Sequence, residues 1–156
     1  FTPLCAIALF GGKYFNNKYI AYLLPLLALW FSDILINNFI LNNYFDGFTL
    51  FYSGFYWQYG SFILITLIGR KTLKNISFLR LLGISISSSL LFFIISNFGV
   101  WISSSFYSMD IFGLVACYVA AIPFYYGTLS GTIFYSFFLF GSYEFLSRKL
   151  SKVTSN

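Results

Sequence analysis

Nineteen residues from Thr128 to Leu146 carry a single charged side chain, Glu144, and four other stretches of this chain are nearly as apolar. A continuous run of about 20 apolar residues is what a helix needs to cross the ~30 Å hydrocarbon core of a bilayer. Several such runs in 156 residues leave little else to fold. The chain is 59% hydrophobic and 8% charged, against about 25% charged for a soluble domain. Too little polar surface remains to cover a water-soluble globule. The runs are continuous rather than alternating with period two, which argues against a transmembrane barrel. The expected fold is all-α, a polytopic membrane helical bundle forming a single transmembrane domain over 1–156.

Five apolar segments are clear: Pro3–Phe15, Tyr19–Ile36, Phe48–Gly69, Phe78–Asn97 and Thr128–Leu146. A sixth, Ile111–Pro123, is short. Thirteen residues of helix cover only ~20 Å, and Pro123 and Gly127 then interrupt the pattern. The expectation is a half-helix that dips in at the outer face and turns back. Thr2 and Pro3 read as an N-cap followed by Pro at N1. The chain starts at Phe1 rather than Met, so a further helix is expected upstream, with a cleaved signal as the alternative.

Charge fixes the orientation. If every segment from Tyr19 onward spans, Arg148, Lys149 and Lys152 fall on the side opposite Lys13, Lys18, Arg70, Lys71, Lys74 and Arg80. If Ile111–Pro123 does not span, all nine basic residues share one side, with Asp46 and Asp110 on the other. The positive-inside rule selects the second arrangement. A bacterial cytoplasmic (inner) membrane is the expected location, with the bilayer as an obligatory partner. The net charge of +5 then reports orientation, and no nucleic acid is expected.

The sequence has no His, which removes the commonest general base and most zinc sites. Cys5 and Cys117 have no metal-ligand spacing and read first as small core residues. The four acids are scattered, so an enzyme is disfavoured; no cofactor or metal is expected. Small-residue pairs such as Ala8 and Gly12, or Gly127 and Gly131, permit close helix packing.

Polar groups inside spans are functional candidates by default. Trp30, Asp33 and Asn37 share a helical face near the outer end of their span. Ser89, Phe93, Asn97 and Trp101 form a second such face. Trp57 and Gln58, in "YWQYG", lie at the outer part of the third segment, and Tyr118 lies on the short segment. The candidate substrate-binding set is Asp33, Asn97, Trp101, Tyr118, Trp57 and Gln58, converging on one outer level. Plainer roles exist for several: an interfacial aromatic belt for Tyr56 and Trp57, a helix cap or interhelical bond for Asn97, a solvated edge carboxylate for Asp33. Glu144 and Arg148 read as an i, i+4 pair.

The blocks "FTPLCAIALFGGKYF", "LLPLLALWFSDILI", "SSSLLFFIISNFGVW" and "ACYVAAIPFYYGTLSGTIFYSFFLFGSYEFL" resemble an uncharacterised bacterial integral membrane protein family. That family is similar to the S components, the substrate-binding subunits of energy-coupling factor (ECF) vitamin transporters. The resemblance implies six helices with cytoplasmic termini, a pocket open to the outside, and a first helix upstream of Phe1. "AAIPFYYGTLSG" resembles the turn that leads into the last S-component helix, and "FGGKYFNNK" the tight cytoplasmic turn between the second and third. Where S components often carry Lys after the "Pf" turn, this chain has Tyr125, Tyr126 and Gly127. The implied function is capture of a vitamin-like small organic molecule for uptake by alternating access. The implied partners are a transmembrane coupling protein and ATPases, since no G-x-x-x-x-G-K-[ST] motif occurs here. The alternative is a small structural or accessory subunit of a larger membrane complex.

Overall fold

A computed structural model describes residues 2–41, 43 and 47–153, with side chains to Leu150. The described residues form five α-helices: α1 (Leu4–Tyr14), α2 (Lys18–Leu35), α3 (Phe55–Thr72), α4 (Phe78–Ser103) and α5 (Ile111–Val153). Helix α2 runs on as a π-helical turn over Ile36–Ile40. Three helical stretches, Lys18–Ile40, Phe78–Ser103 and Ile111–Leu150, are long and apolar enough to cross a membrane.

The helices alternate in direction. Asp33 near the end of α2 meets Tyr59 near the start of α3. Trp57 near the start of α3 meets Phe98 near the end of α4. Phe78 at the start of α4 stacks on Phe137 of α5, while Ile94 late in α4 meets Tyr118 early in α5. Helix α1 runs parallel to α5, with Phe10 against Phe140 and Tyr14 against Glu144. The core is built where α1, α3, α4 and α5 meet, around Leu9, Phe62, Ile65, Leu81 and Phe140. Helix α4 contributes three buried serines to it, Ser85, Ser88 and Ser89. Small side chains at such positions let helix backbones approach closely.

The tightest crossing joins α1 to α3. A Cβ built on Gly12 would collide with the Thr66 carbonyl and lie 2.9 Å from the Arg70 nitrogen. One on Gly69 would lie 2.7 Å from the Leu9 carbonyl. Both glycines are therefore fixed by backbone-to-backbone contact rather than by helix propensity.

Each end of the bundle has its own chemistry. Lys13 Nζ donates to the Lys74 carbonyl at 2.7 Å, Arg70 donates to the Phe15 carbonyl, and Arg80 donates to the Asn75 carbonyl. Lys13, Lys74 and Arg148 line one cavity there. The basic residues, those of late α5 included, thus collect at one end, and Asp110 lies at the other, where α5 begins. This is the distribution read from the sequence; Asp46 and the Lys152 side chain lie outside the described residues.

The half-helix is corrected. Ile111–Val153 is a single helix of 43 residues, about 65 Å long at 1.5 Å per residue. Pro123 lies inside it. Its missing N–H and ring clash disfavour a helix interior, but packing continues on both sides of it. Tyr118 Oη donates to the Ile94 carbonyl at 2.7 Å before the proline, and the Tyr125 ring lies 4.9 Å from that of Phe93 after it. Tertiary contact overrides local propensity here. The charge argument survives, because one long helix and a returning half-helix plus a span both cross once after α4.

Other boundaries also move. Helix α1 begins at Leu4, with Pro3 as its N-cap and no side-chain capping bond, so Pro3 sits one position earlier than N1. Helix α3 begins seven residues later than Phe48. Its N-cap, Gly54, has φ 81°, a left-handed conformation that glycine adopts without strain. A Cβ there would also fall 2.8 Å from Ser103.

Candidate functional site

Successive residues on a helix point about 100° apart, so the first turn of α3 serves three neighbours with Trp57, Gln58 and Tyr59. Trp57 packs on α4, its ring 5.1 Å from Phe98 and its side chain filling the space left by Gly99. Gln58 turns into a cavity between α3, α4 and α5. Tyr59 turns to α2, where its hydroxyl donates to Asp33 Oδ2 at 3.2 Å.

The cavity measures about 200 Å³. Phe92, Phe93, Phe124 and Tyr125 supply its apolar wall, and Gln58, Ser96, Asn97 and Thr128 its polar groups. Asn97 Nδ2 is held by the Phe93 carbonyl at 2.7 Å, and Thr128 Oγ1 by the Phe124 carbonyl. Those bonds fix the two side chains against their own helices and leave Asn97 Oδ1 as that side chain's acceptor, while its main-chain carbonyl accepts from Cys117 Sγ. Aromatic faces with a few convergent amides are the composition of a small-molecule pocket. Phe124 of α5 and Val100 of α4 are exposed parts of its lining.

On the opposite flank of α3, Asp33 heads a second polar group. The Trp30 indole N–H, the Asn37 amide nitrogen and the Tyr52 hydroxyl are buried there without a hydrogen-bond partner among the described residues. Burial and the nearby Asp33 charge push the Tyr52 phenol above its ordinary value. The π-turn at Ile36–Ile40 resets the helical phase, and Asn37 is buried while the next residue, Asn38, faces the following loop. Asn38 bonds the Thr49 backbone twice, Nδ2 to the carbonyl at 2.9 Å and Oδ1 from the N–H at 2.7 Å. That clasp holds the loop before α3 against the end of α2.

The remaining candidates act locally. Trp101 Nε1 donates to the Ser108 carbonyl at 2.9 Å. Asp110 Oδ1 accepts from the Gly113 N–H and the Ser108 hydroxyl, each at 2.7 Å, capping α5. The Gly113 N–H first and the Ser108 hydroxyl second hold the Asp110 carboxyl below its ordinary range. Tyr118 ties α5 to α4 through the Ile94 carbonyl and packs edge-on against Phe93. Of the six residues singled out by sequence, Gln58 and Asn97 share the cavity; Asp33, Trp57, Trp101 and Tyr118 lie outside its lining in four separate contacts. Ser96, Tyr125 and Thr128 were not singled out, although Tyr125 stands eight residues, about two turns, beyond Cys117 on the α4-facing side. Among the described residues no group of three or more Cys, Asp or Glu could hold a metal ion.

A model of a family of unknown function, DUF6580, matches residues 1–153, so the chain belongs to that family. Neither the curated proteins nor the solved structures contain a match to it.

Proposed function

We propose that this DUF6580 member is a membrane-embedded binding component, similar to the S components of ECF transporters, that takes a small ring-containing organic molecule from the outer face of a bacterial cytoplasmic membrane. The observation that carries the reading is the cavity between α3, α4 and α5, where the Gln58 and Asn97 amides meet an aromatic wall of Phe92, Phe93 and Tyr125. Stacking on those rings suits a flat ligand, and the amides supply hydrogen bonds that select among flat ligands. The cavity lies in the half of the bundle away from the basic end, which the positive-inside rule assigns to the outside. On this reading α3 also spans, while α1, with 11 residues, covers only ~16 Å and does not cross by itself. Tyr118, Trp57, Trp101 and Asp33 brace the helices that form the walls. Uptake follows by alternating access on a partner coupling protein whose ATPases supply the energy.

The test is a thermal-shift screen of the purified protein in detergent against water-soluble vitamins and their ring precursors. One compound is expected to raise the melting temperature, and Asn97→Leu and Gln58→Leu to abolish the rise while both variants still melt cooperatively. A screen without any hit, or a hit indifferent to both substitutions, overturns the assignment.

A second reading, a structural subunit of a larger membrane complex, is favoured by the cavity's size. Its 200 Å³ falls below the ~300 Å³ at which organic-ligand pockets begin. A fixed set of membrane partners retained through purification in mild detergent decides for it.

A further inference from the structure

Two cavities meet at the basic end of the bundle. One, of about 430 Å³, is lined by Lys13, Lys74, Asn75, Ile76, Glu144 and Arg148. The other, of about 190 Å³, is an apolar groove between α4 and α5 lined by Phe78, Leu81, Phe137 and Phe140 together with Ile76 and Glu144. Ile76 and Glu144 line both, so the two adjoin as a depression that is cationic on one side and hydrocarbon-like on the other. We propose that this depression is a binding site for an anionic phospholipid, with the phosphodiester among Lys13, Lys74 and Arg148 and an acyl chain along Phe78 and Phe137.

The cationic half is a fixed structure. Lys13 Nζ is anchored to the Lys74 carbonyl at 2.7 Å and keeps its remaining protons for another acceptor. Arg80 donates to the Asn75 carbonyl at 2.7 Å, which fixes the α3–α4 connection forming one wall. Three cationic residues and one carboxylate, Glu144, line the pocket, so it carries an excess of positive charge. One of the carboxylate oxygens, Oε1, accepts from the Tyr14 hydroxyl at 2.7 Å, and the Glu144 charge offsets one of the three cations.

The apolar half matches an acyl chain in the same way. Phe78 is exposed and stacks on Phe137 at 4.9 Å between ring centroids, while Leu81 and Phe140 form the buried floor. The groove lies between α4 and α5, both long and apolar enough to cross a membrane. It therefore runs along the direction in which lipid chains lie. A basic pocket between helices at the cytoplasmic surface is the arrangement that recognises acidic lipid headgroups. A free phosphate would use the cations and ignore the groove; a neutral lipid would use the groove and ignore the cations.

The experiment is a titration of the purified full chain in neutral detergent, with melting temperature as the readout. The probes are dioleoyl phosphatidylglycerol, dioleoyl phosphatidylcholine and inorganic phosphate. Phosphatidylglycerol is expected to stabilise the protein at concentrations where the other two do not. Lys74→Gln keeps the backbone carbonyl that anchors Lys13 and is expected to weaken phosphatidylglycerol about fivefold, the effect of removing one basic group near an acidic headgroup. Lys71→Gln removes the same charge from the neighbouring α3 terminus, outside the depression, and is expected to leave the titration unchanged. Equal stabilisation by phosphatidylcholine, equal stabilisation by inorganic phosphate, or equal weakening by the two lysine variants each overturns the proposal.

Discussion

The Tyr59 hydroxyl donates to the Asp33 carboxylate at 3.2 Å and so joins α3 to α2 through an acid that lies within a span-length helix. An O–H···O bond at that distance is long for its type, and Asp33 is half-buried. Tyr59→Phe is expected to cost about 1 kcal/mol, the ordinary net worth of one such bond. Asp33→Asn keeps an acceptor for Tyr59 and is expected to cost less. Unfolding of the two variants in mixed micelles compares them directly, and a larger loss in Asp33→Asn would show that the negative charge itself matters there.

The α1–α3 crossing predicts a contrast among glycines. Gly12→Ala and Gly69→Ala place a methyl group into backbone atoms of the facing helix and are expected to destabilise by about 1–3 kcal/mol, the range for overpacking. Gly83→Ala, on α4, meets nothing within 4 Å. It is expected to stabilise by up to about 1 kcal/mol, through the lost backbone freedom of glycine. Melting temperatures of the three single variants test the contrast.

A single long α5 sets which positions a membrane-impermeant thiol reagent reaches. The two native cysteines are buried and give a low background. Phe106→Cys, in the exposed connection before α5, is expected to label from the extracytoplasmic side. Lys71→Cys is expected to label only after the cytoplasmic face is opened. Tyr126→Cys lies fifteen residues into α5, ~22 Å along its axis, and is expected to stay unlabelled from either side. Strong extracytoplasmic labelling at 126 would restore the interrupted helix that the sequence alone suggests.

Acid should loosen the start of α5. The Asp110 carboxyl is held below its ordinary value by the Gly113 N–H and the Ser108 hydroxyl. A depressed carboxyl contributes its full stabilisation above the unfolded value of about 3.9 and loses it as pH falls through the lower folded value. Exchange of the Gly113 amide proton is therefore expected to be slower in the native protein than in Asp110→Ala from neutral pH down to about 4. The difference should shrink below that. A constant difference down to pH 2 would exclude the charged cap.

The helices, their all-α class and the common side of the basic residues were legible because they depend on composition along the chain. Continuous apolar runs and clustered Lys and Arg need no tertiary information. The misreading at Pro123 has the opposite origin. Local propensity argued for a break, while the packing of Tyr118 and Tyr125 of α5 against Ile94 and Phe93 of α4 holds the helix through it. The cavity was half legible. Asn97 and Gln58 stood out as polar groups in apolar surroundings, and Phe93 shared a helical face with Asn97, but Tyr125 was one aromatic among many. The Asp33 partner could not be read either, since whether Tyr56 or Tyr59 faces α2 depends on the rotation of α3 about its axis. That rotation is set by the Gly12 and Gly69 contact far along the helix.

The unbroken run of α5 past Pro123 has a consequence for how recognition could change over evolutionary time. An interrupted helix would bring bare carbonyls and amides to the cavity, and a ligand could then be read by main-chain groups that no substitution removes. With α5 unbroken, and only the bond that Pro123 cannot donate missing from its ladder, the polar vocabulary of the cavity reduces chiefly to the side chains of Gln58, Ser96, Asn97 and Thr128. All four can be rewritten by point mutation without disturbing the scaffold, so relatives with the same helices are free to diverge in what they hold.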